Sequence, residues 1–168
     1  MPQKRELVFC LVCAFPVFVF LRFVVFDVQT VRGESMQPTL AENQIVLILR
    51  RPFAGRPDPE NVVTTEYQGE TIVKRIAARG PCAVFWDTNS FWTNSSEETG
   101  DTALNTVPAI SFIRQQSERT LAENEVFLLG DNLSASVDSR SFGPLPIDAI
   151  TGRVLAVIYP FQALQAVR

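Results

Sequence analysis

Apolar residues are unevenly distributed along this chain. Residues 7–26, LVFCLVCAFPVFVFLRFVVF, are apolar at eighteen of twenty positions, Pro16 and Arg22 being the exceptions. Twenty residues at a rise of about 1.5 Å make about 30 Å of helix, the depth of one bilayer core. After residue 27 the pattern changes to short runs rich in β-branched and aromatic residues. These are IVLIL (45–49), NVVTT (61–65), TIVKRIA (71–77), AVFW (83–86), EVFLL (125–129) and GRVLAVIY (152–159), and each predicts a strand. Turn formers bound them: Arg51-Pro52, GRPDPE at 55–60, Arg79-Gly80-Pro81 and Gly130-Asp131-Asn132. SERTLAENE (117–125) predicts one or two helical turns. The polar span 87–124 predicts a variable insertion on a body that is otherwise mainly β.

Charge orients the apolar segment. Lys4 and Arg5 precede it and Asp27 follows, so the positive-inside rule predicts a cytoplasmic tail at 1–6, a transmembrane anchor at 7–26 and an extracytoplasmic domain at 27–168. Arg22 lies near the outer end, where its long side chain can snorkel to the head groups. A cleavable signal peptide would need small residues after the apolar core, and Val28 and Val31 stand there instead. A buried helix of a soluble protein is the other reading of the same run. The net charge is −3, and residues 1–26 carry Lys4, Arg5 and Arg22 against Glu6, which leaves the remainder at −5. An acidic body predicts no nucleic-acid partner, and any hold on a membrane has to be apolar.

Composition narrows the chemistry. Histidine is absent, which excludes Ser-His-Asp, Cys-His and His-ligated metal mechanisms. The lysines are Lys4 and Lys74 alone, so a nitrogen base in the body would have to be Lys74. Cys10 and Cys13 sit in the apolar run, where thiols act as small hydrophobes, and Cys82 has no obvious partner. Neither a disulfide framework nor a metal site is expected, and no cofactor.

Three polar segments carry candidate chemistry. In VRGESMQPTL (31–40), Ser35 follows Gly33-Glu34 and precedes a proline-fixed turn at Pro38, the rigid setting a nucleophilic hydroxyl needs; an ordinary loop reads the same way. In TIVKRIAARG (71–80), a period of two puts Lys74 on the face of Ile72 and Ile76, with Val73 and Arg75 on the other. Apolar neighbours would strip water from the ammonium and lower its pKa toward that of a usable base. A lysine paired with a carboxylate at a sheet surface fits the same pattern. In FLLGDNLSASVDSRSFGPLP (127–146), Ser136, Asp138, Ser139 and Arg140 form a dense polar cluster, either orienting a neutral amine or capping a loop through an Asp138–Arg140 ion pair.

Taken in order, the three segments resemble the boxes of the type I signal peptidases, membrane serine proteases of peptidase family S26. Ser35-Met36-Gln37-Pro38-Thr39-Leu40 is similar to the family's nucleophile box and Lys74-Arg75 to its Lys-Arg box. Gly130-Asp131-Asn132, Ser136-x-Asp138-Ser139-Arg140 and Phe142-Gly143-Pro144 are similar to its third box. Gly33 two positions before the serine, and a single anchor, are similar to the Gram-positive branch. The sequence departs from the family at Gly80-Pro81-Cys82, where a Gly-Asp turn is usual, and at Leu133, where Arg is frequent.

The resemblance implies an antiparallel β-sheet catalytic domain of the signal-peptidase type, with one N-terminal transmembrane helix. It implies Ser35 as nucleophile, Lys74 as general base and Ser136 as a hydrogen-bond partner of the lysine, with Gly33, Asp131, Asp138 and Arg140 in support. Met36, Pro38 and Leu40 would meet the substrate, and Met36 and Leu40 would rest on the outer leaflet. The implied partners are preproteins bearing signal peptides, cleaved after small residues in an Ala-x-Ala pattern, and the lipid bilayer. The protein would be a single-pass monomer of the plasma membrane. A processing peptidase for envelope or pilus precursors, or for the mitochondrial inner membrane, would carry the same boxes. From a different class, an inactive membrane-tethered β module would share the architecture.

Overall fold

A computed structural model describes residues 2–87, 90–94 and 117–167. The apolar N-terminal segment forms helix α1 (Pro2–Phe20), with Pro16 inside it, and the helix runs on through a π-helical turn, Leu21–Val25. The chain then enters strand β1 (Phe26–Thr30). The apolar run thus ends one residue earlier as helix than its composition predicts. At Phe26 the sequence begins to alternate, and the backbone pairs with β2 (Ile45–Arg50), Phe26 opposite Leu49 and Thr30 opposite Ile45. The α-helical part includes Lys4, Arg5 and Glu6. Among the described residues no helix is long and apolar enough to cross a membrane.

The body is mainly β and antiparallel. Its remaining strands are β3 (Val62–Tyr67), β4 (Glu70–Arg79), β5 (Cys82–Trp86), β6 (Phe91–Thr93), β7 (Ser117–Leu121), β8 (Glu125–Leu129), β9 (Leu145–Pro146), β10 (Ile150–Tyr159) and β11 (Gln165–Ala166). Each strand read from the sequence forms. The large sheet runs β1-β2-β10-β3-β4-β8-β9, with β11 beside β10. A second sheet of three strands runs β6-β5-β7. The helical turns expected at 117–125 are replaced by β7, which pairs with β5 from Cys82 opposite Leu121 to Trp86 opposite Ser117. Long-range pairing overrides local helix preference here, because it buries Leu121 against Val84 and Phe127. The insertion expected at 87–124 falls outside the described residues at 88–89 and 95–116; β6 and β7 lie at its ends.

Three apolar clusters hold these layers. Val31, Met36, Leu40, Val46, Ile48, Val62, Val154 and Val157 pack the loop after β1 onto the large sheet. Val63, Ile76, Val126, Leu128 and Ile150 fill a second cluster. Phe127 joins the small sheet to the large one, its ring 5.1 Å from Trp86 and 5.6 Å from Phe91. The β3–β4 hairpin turns through Gln68 (φ 51°) and Gly69 (φ 82°), the left-handed pair that a two-residue turn requires.

One feature of the pairing shapes the functional face. β4 is paired with β3 along Glu70–Arg75, but with β8 only from Arg75 onward. β1 ends the large sheet and is paired on one side only, to β2. Among the strand edges left open are therefore all of β1 and the first half of β4.

Candidate active site

The loop from 31 to 44 carries Ser35 and is fastened at both ends. The Val31 N–H donates to the Gln44 carbonyl at 2.8 Å and the Asn43 N–H to the Val31 carbonyl at 3.0 Å. Its apolar residues anchor it from below, with Val31, Met36 and Leu40 at 3%, 1% and 0% exposure. The Ser35 carbonyl accepts the Asn132 N–H at 2.9 Å, tying the loop to the turn after β8. Ser35 itself stays half-buried.

β4 delivers Lys74 to the same point. Its period of two sends Lys74, Ile76 and Ala78 to the buried face, and Lys74 is 4% exposed. Lys74 Nζ lies 2.8 Å from Ser35 Oγ, in a hydrogen bond. Burial pushes the Lys74 amine below its ordinary pKa; the carboxylates of Asp138 and Asp131 pull it back up, and Arg140 adds to the lowering. The surface-paired lysine allowed by the sequence is not what forms.

Arg75 takes the structural part expected of it. It grips Asp131 through Nε and Nη2, each at 2.8 Å, and also reaches the Glu60 carbonyl and Thr39. The bond to Asp131 holds the guanidinium above its usual pKa. Arg75 thereby links β4 to the turn after β8.

Asp138, fully buried, organises that turn. It accepts the Gly130 N–H at 3.1 Å, caps α2 (Ser139–Phe142) through the Arg140 N–H, and pairs with the Arg140 side chain at 2.8 Å. Arg140 also donates to the Leu133 carbonyl at 2.6 Å, and Ser139 Oγ accepts the Leu128 N–H. The loop-capping reading of Asp138 and Arg140 is thus realised, and it stands near the Ser35–Lys74 pair.

Several expected placements differ. Ser136 Oγ is buried and has no hydrogen-bond partner, so its expected bond to Lys74 is not made; the lysine bonds Ser35 instead. Leu40 is a core residue, and Met36 is equally buried, so neither can rest on a leaflet. Their spacing of four in a turn closed by the Leu40 N–H to Met36 carbonyl bond (2.8 Å) points both inward. Pro38 is exposed and lies outside the groove, whereas Met36 contributes to its wall. Gly33 holds φ +76°, and its N–H donates to Glu42 Oε1 at 3.3 Å. Cys82 is buried, its thiol near the Arg79 carbonyl, as an inert thiol would be.

Ser35 and Lys74 sit in a groove of about 520 Å³ between the two open edges, Val28–Arg32 on one side and Gly69–Val73 on the other, with Met36 beneath. Sequence reasoning missed these walls. The strand alternation of Phe26–Thr30 would have exposed one of them, had residues 27–30 not been passed over as the short link after the apolar run.

An alcohol hydrogen-bonded to a desolvated primary amine, on the floor of a strand-edged groove, can transfer a proton and attack an electrophile. Comparison with known proteins agrees with a hydrolytic site. The family described as signal peptidase, peptidase S26, matches residues 4–159. Mitochondrial inner membrane protease subunit 1 of Mus musculus is 31% identical over 134 residues, covering 77% of this chain and 68% of that protein. Signal peptidase IB of Staphylococcus aureus is 25% identical over 183 residues, covering 95% and 93%. A signal peptidase I structure from Enterococcus faecalis aligns at 22% identity with a TM-score of 0.42, over 58% of this chain and 95% of that one. The chain belongs to the signal peptidase family, peptidase S26, and is a serine peptidase, a hydrolase.

Proposed function

We propose that this chain is a membrane-anchored endopeptidase that removes N-terminal signal peptides from exported proteins after small residues. Ser35 is the nucleophile and Lys74 the general base. The 2.8 Å contact between Ser35 Oγ and Lys74 Nζ carries this reading. Neutral Lys74 takes the Ser35 proton as Oγ attacks the scissile carbonyl, and the resulting ammonium returns it to the leaving amine. Water, deprotonated by the same amine, then hydrolyses the acyl-enzyme. The Ser35 backbone N–H serves as one oxyanion donor. Asp131, Asp138 and Arg140 position the dyad by fixing the turn that holds the Ser35 carbonyl.

The open edges of β1 and β4 support binding of an extended peptide between them, as an added strand. Alternate side chains of that strand, at −1 and −3 from the cut, would point into the groove. Residues 7–25 form the anchor, with the N-terminus cytoplasmic and the body outside. Exposed Phe9, Val12, Phe15, Phe18 and Phe23 support this, since water would oppose such a surface. Arg22, close to Asp27 and over the Phe23 ring, sits where head groups would begin. The mitochondrial relative supports a second reading, a processing peptidase of the mitochondrial inner membrane.

The test is cleavage of a signal-peptide preprotein by the full chain in detergent. Ser35→Ala and Lys74→Arg should each abolish turnover while keeping the fold, since a guanidinium cannot serve as a base at neutral pH. Turnover near wild type in either variant removes that residue from its role. A panel of general and inner-membrane precursors separates the two readings.

A further inference from the structure

Resting on the reading of residues 7–25 as a membrane anchor, we propose that Arg22 and Arg50 bind the phosphate head group of an anionic phospholipid where the anchor meets the body. Arg22 lies in the π-helical turn that follows α1. Arg50 ends β2, one residue past Leu49, which pairs with Phe26 at the start of β1. Both guanidinium groups converge on one carboxylate. Asp27 Oδ2 lies 2.9 Å from Arg50 Nη2, and Asp27 Oδ1 lies 3.6 Å from Arg22 Nη1. The Val28 N–H also donates to Asp27 Oδ1, at 2.8 Å. Asp27 is thus shared, and the junction keeps one positive charge in excess. Both arginine side chains are more than a third exposed, and each carries more N–H donors than a shared carboxylate can take.

The turn after β2 adds an apolar contact. The Arg50 carbonyl accepts the Phe53 N–H at 2.9 Å and the Ala54 N–H at 3.1 Å, which buries Ala54 and leaves the Phe53 side chain exposed. A ring standing out beside Arg50 and Arg51 suits the head-group level, where aromatic and basic side chains collect. Arg51 pairs with Asp148 at 2.9 Å, but Asp148 is 84% exposed and water screens that pair. The net charge of the body led to the expectation of a purely apolar hold on the bilayer. The fold instead gathers arginines at the end of the sheet nearest the anchor.

The ligand chemistry follows from the guanidinium groups. A phosphate diester accepts two N–H bonds from a planar guanidinium and takes up the excess charge. A zwitterionic head group offers the same phosphate with an ammonium beside it, which a positive junction repels. Selection is therefore for lipids of net negative charge. A lipid bound here braces the start of β1, next to the groove wall that begins at Val28.

The experiment reconstitutes the full chain in phosphatidylcholine vesicles and measures, by electron paramagnetic resonance, how strongly spin-labelled phosphatidylglycerol and spin-labelled phosphatidylcholine associate with it. Wild type should prefer phosphatidylglycerol by about fivefold, the scale of one net basic charge at a membrane surface, and added salt should weaken the preference. Arg22→Gln and Arg50→Gln should each bring the ratio close to one, while Arg119→Gln, on the small sheet, should leave it unchanged. Asp27→Asn removes the competing carboxylate and should raise it. A wild-type ratio near one, a ratio that survives either arginine substitution, or one that fails to rise in Asp27→Asn overturns the inference while the anchor stands. A chain that restricts neither lipid and stays out of the vesicles overturns the anchor and the inference with it.

Discussion

Lys74 is where burial and charge are weighed against each other at the scale of one residue. The ammonium has lost most of its water, and the carboxylates of Asp138 and Asp131 compensate only in part, so the amine titrates below its ordinary value. Folding therefore releases a proton between the lowered folded pKa and the unfolded value near about 10.4. In that interval the unfolded chain binds more protons than the folded one, and stability rises with pH. Lys74→Met should be more stable than wild type near neutrality, with the gap closing as pH approaches about 10. Urea unfolding at a series of pH values measures this, and a gap independent of pH would contradict it. With Lys74 as the proposed general base, the same proton governs catalysis. Proteolytic kcat/KM should climb about tenfold per pH unit below the folded Lys74 pKa and level off above it.

Between elements, the decisive contact is the approach of the turn after β8 to the serine loop. Gly130 stands at the crossing. A Cβ added there would lie 2.3 Å from Ser136 Oγ and 2.5 Å from the Ser35 carbonyl oxygen. The second of these is backbone, which cannot rotate aside. The loops must separate, and with them goes the Asn132 N–H bond to the Ser35 carbonyl. Gly130→Ala should cost about 1–3 kcal/mol in stability and displace Ser35 from Lys74. Thermal unfolding together with the rate of preprotein cleavage tests this; an alanine variant that keeps wild-type stability and turnover would show that the crossing is not tight. The Arg75–Asp131 pair and the buried Asp138–Arg140 pair brace this crossing from both sides.

On the scale of the molecule, the apolar helix and the β body are separable in energetic terms. Among the described residues, the clusters that hold the sheets include none from 1–25. A chain beginning at Phe26 should keep the β signature in circular dichroism and move from the detergent phase to the aqueous phase in Triton X-114 partitioning. Retention in detergent would show that the body has an apolar membrane surface of its own.

How much of this was legible in the sequence depends on the range of the interactions. Absence of histidine, the isolation of Lys74, the alternation around it and the order of the three boxes are local facts; with the family resemblance those boxes carry, they pointed to Ser35 and Lys74, and the strand runs to the mainly β body. The N-terminal apolar run was equally plain, though its last residue joined a strand. Positions that depend on partners far along the chain were not legible. β7 formed because Cys82–Trp86 offered an edge, against the helical wording of its own residues. Leu40 turned from a substrate contact into core because the sheet came to lie beneath it, while Met36 is core and groove wall at once. Ser136 stopped short of the lysine, and the groove walls appeared only when two unpaired strand edges faced each other. Chemistry and periodicity belong to the chain itself; which surface each side chain meets is set by pairing across dozens of residues, and that only the folded protein decides.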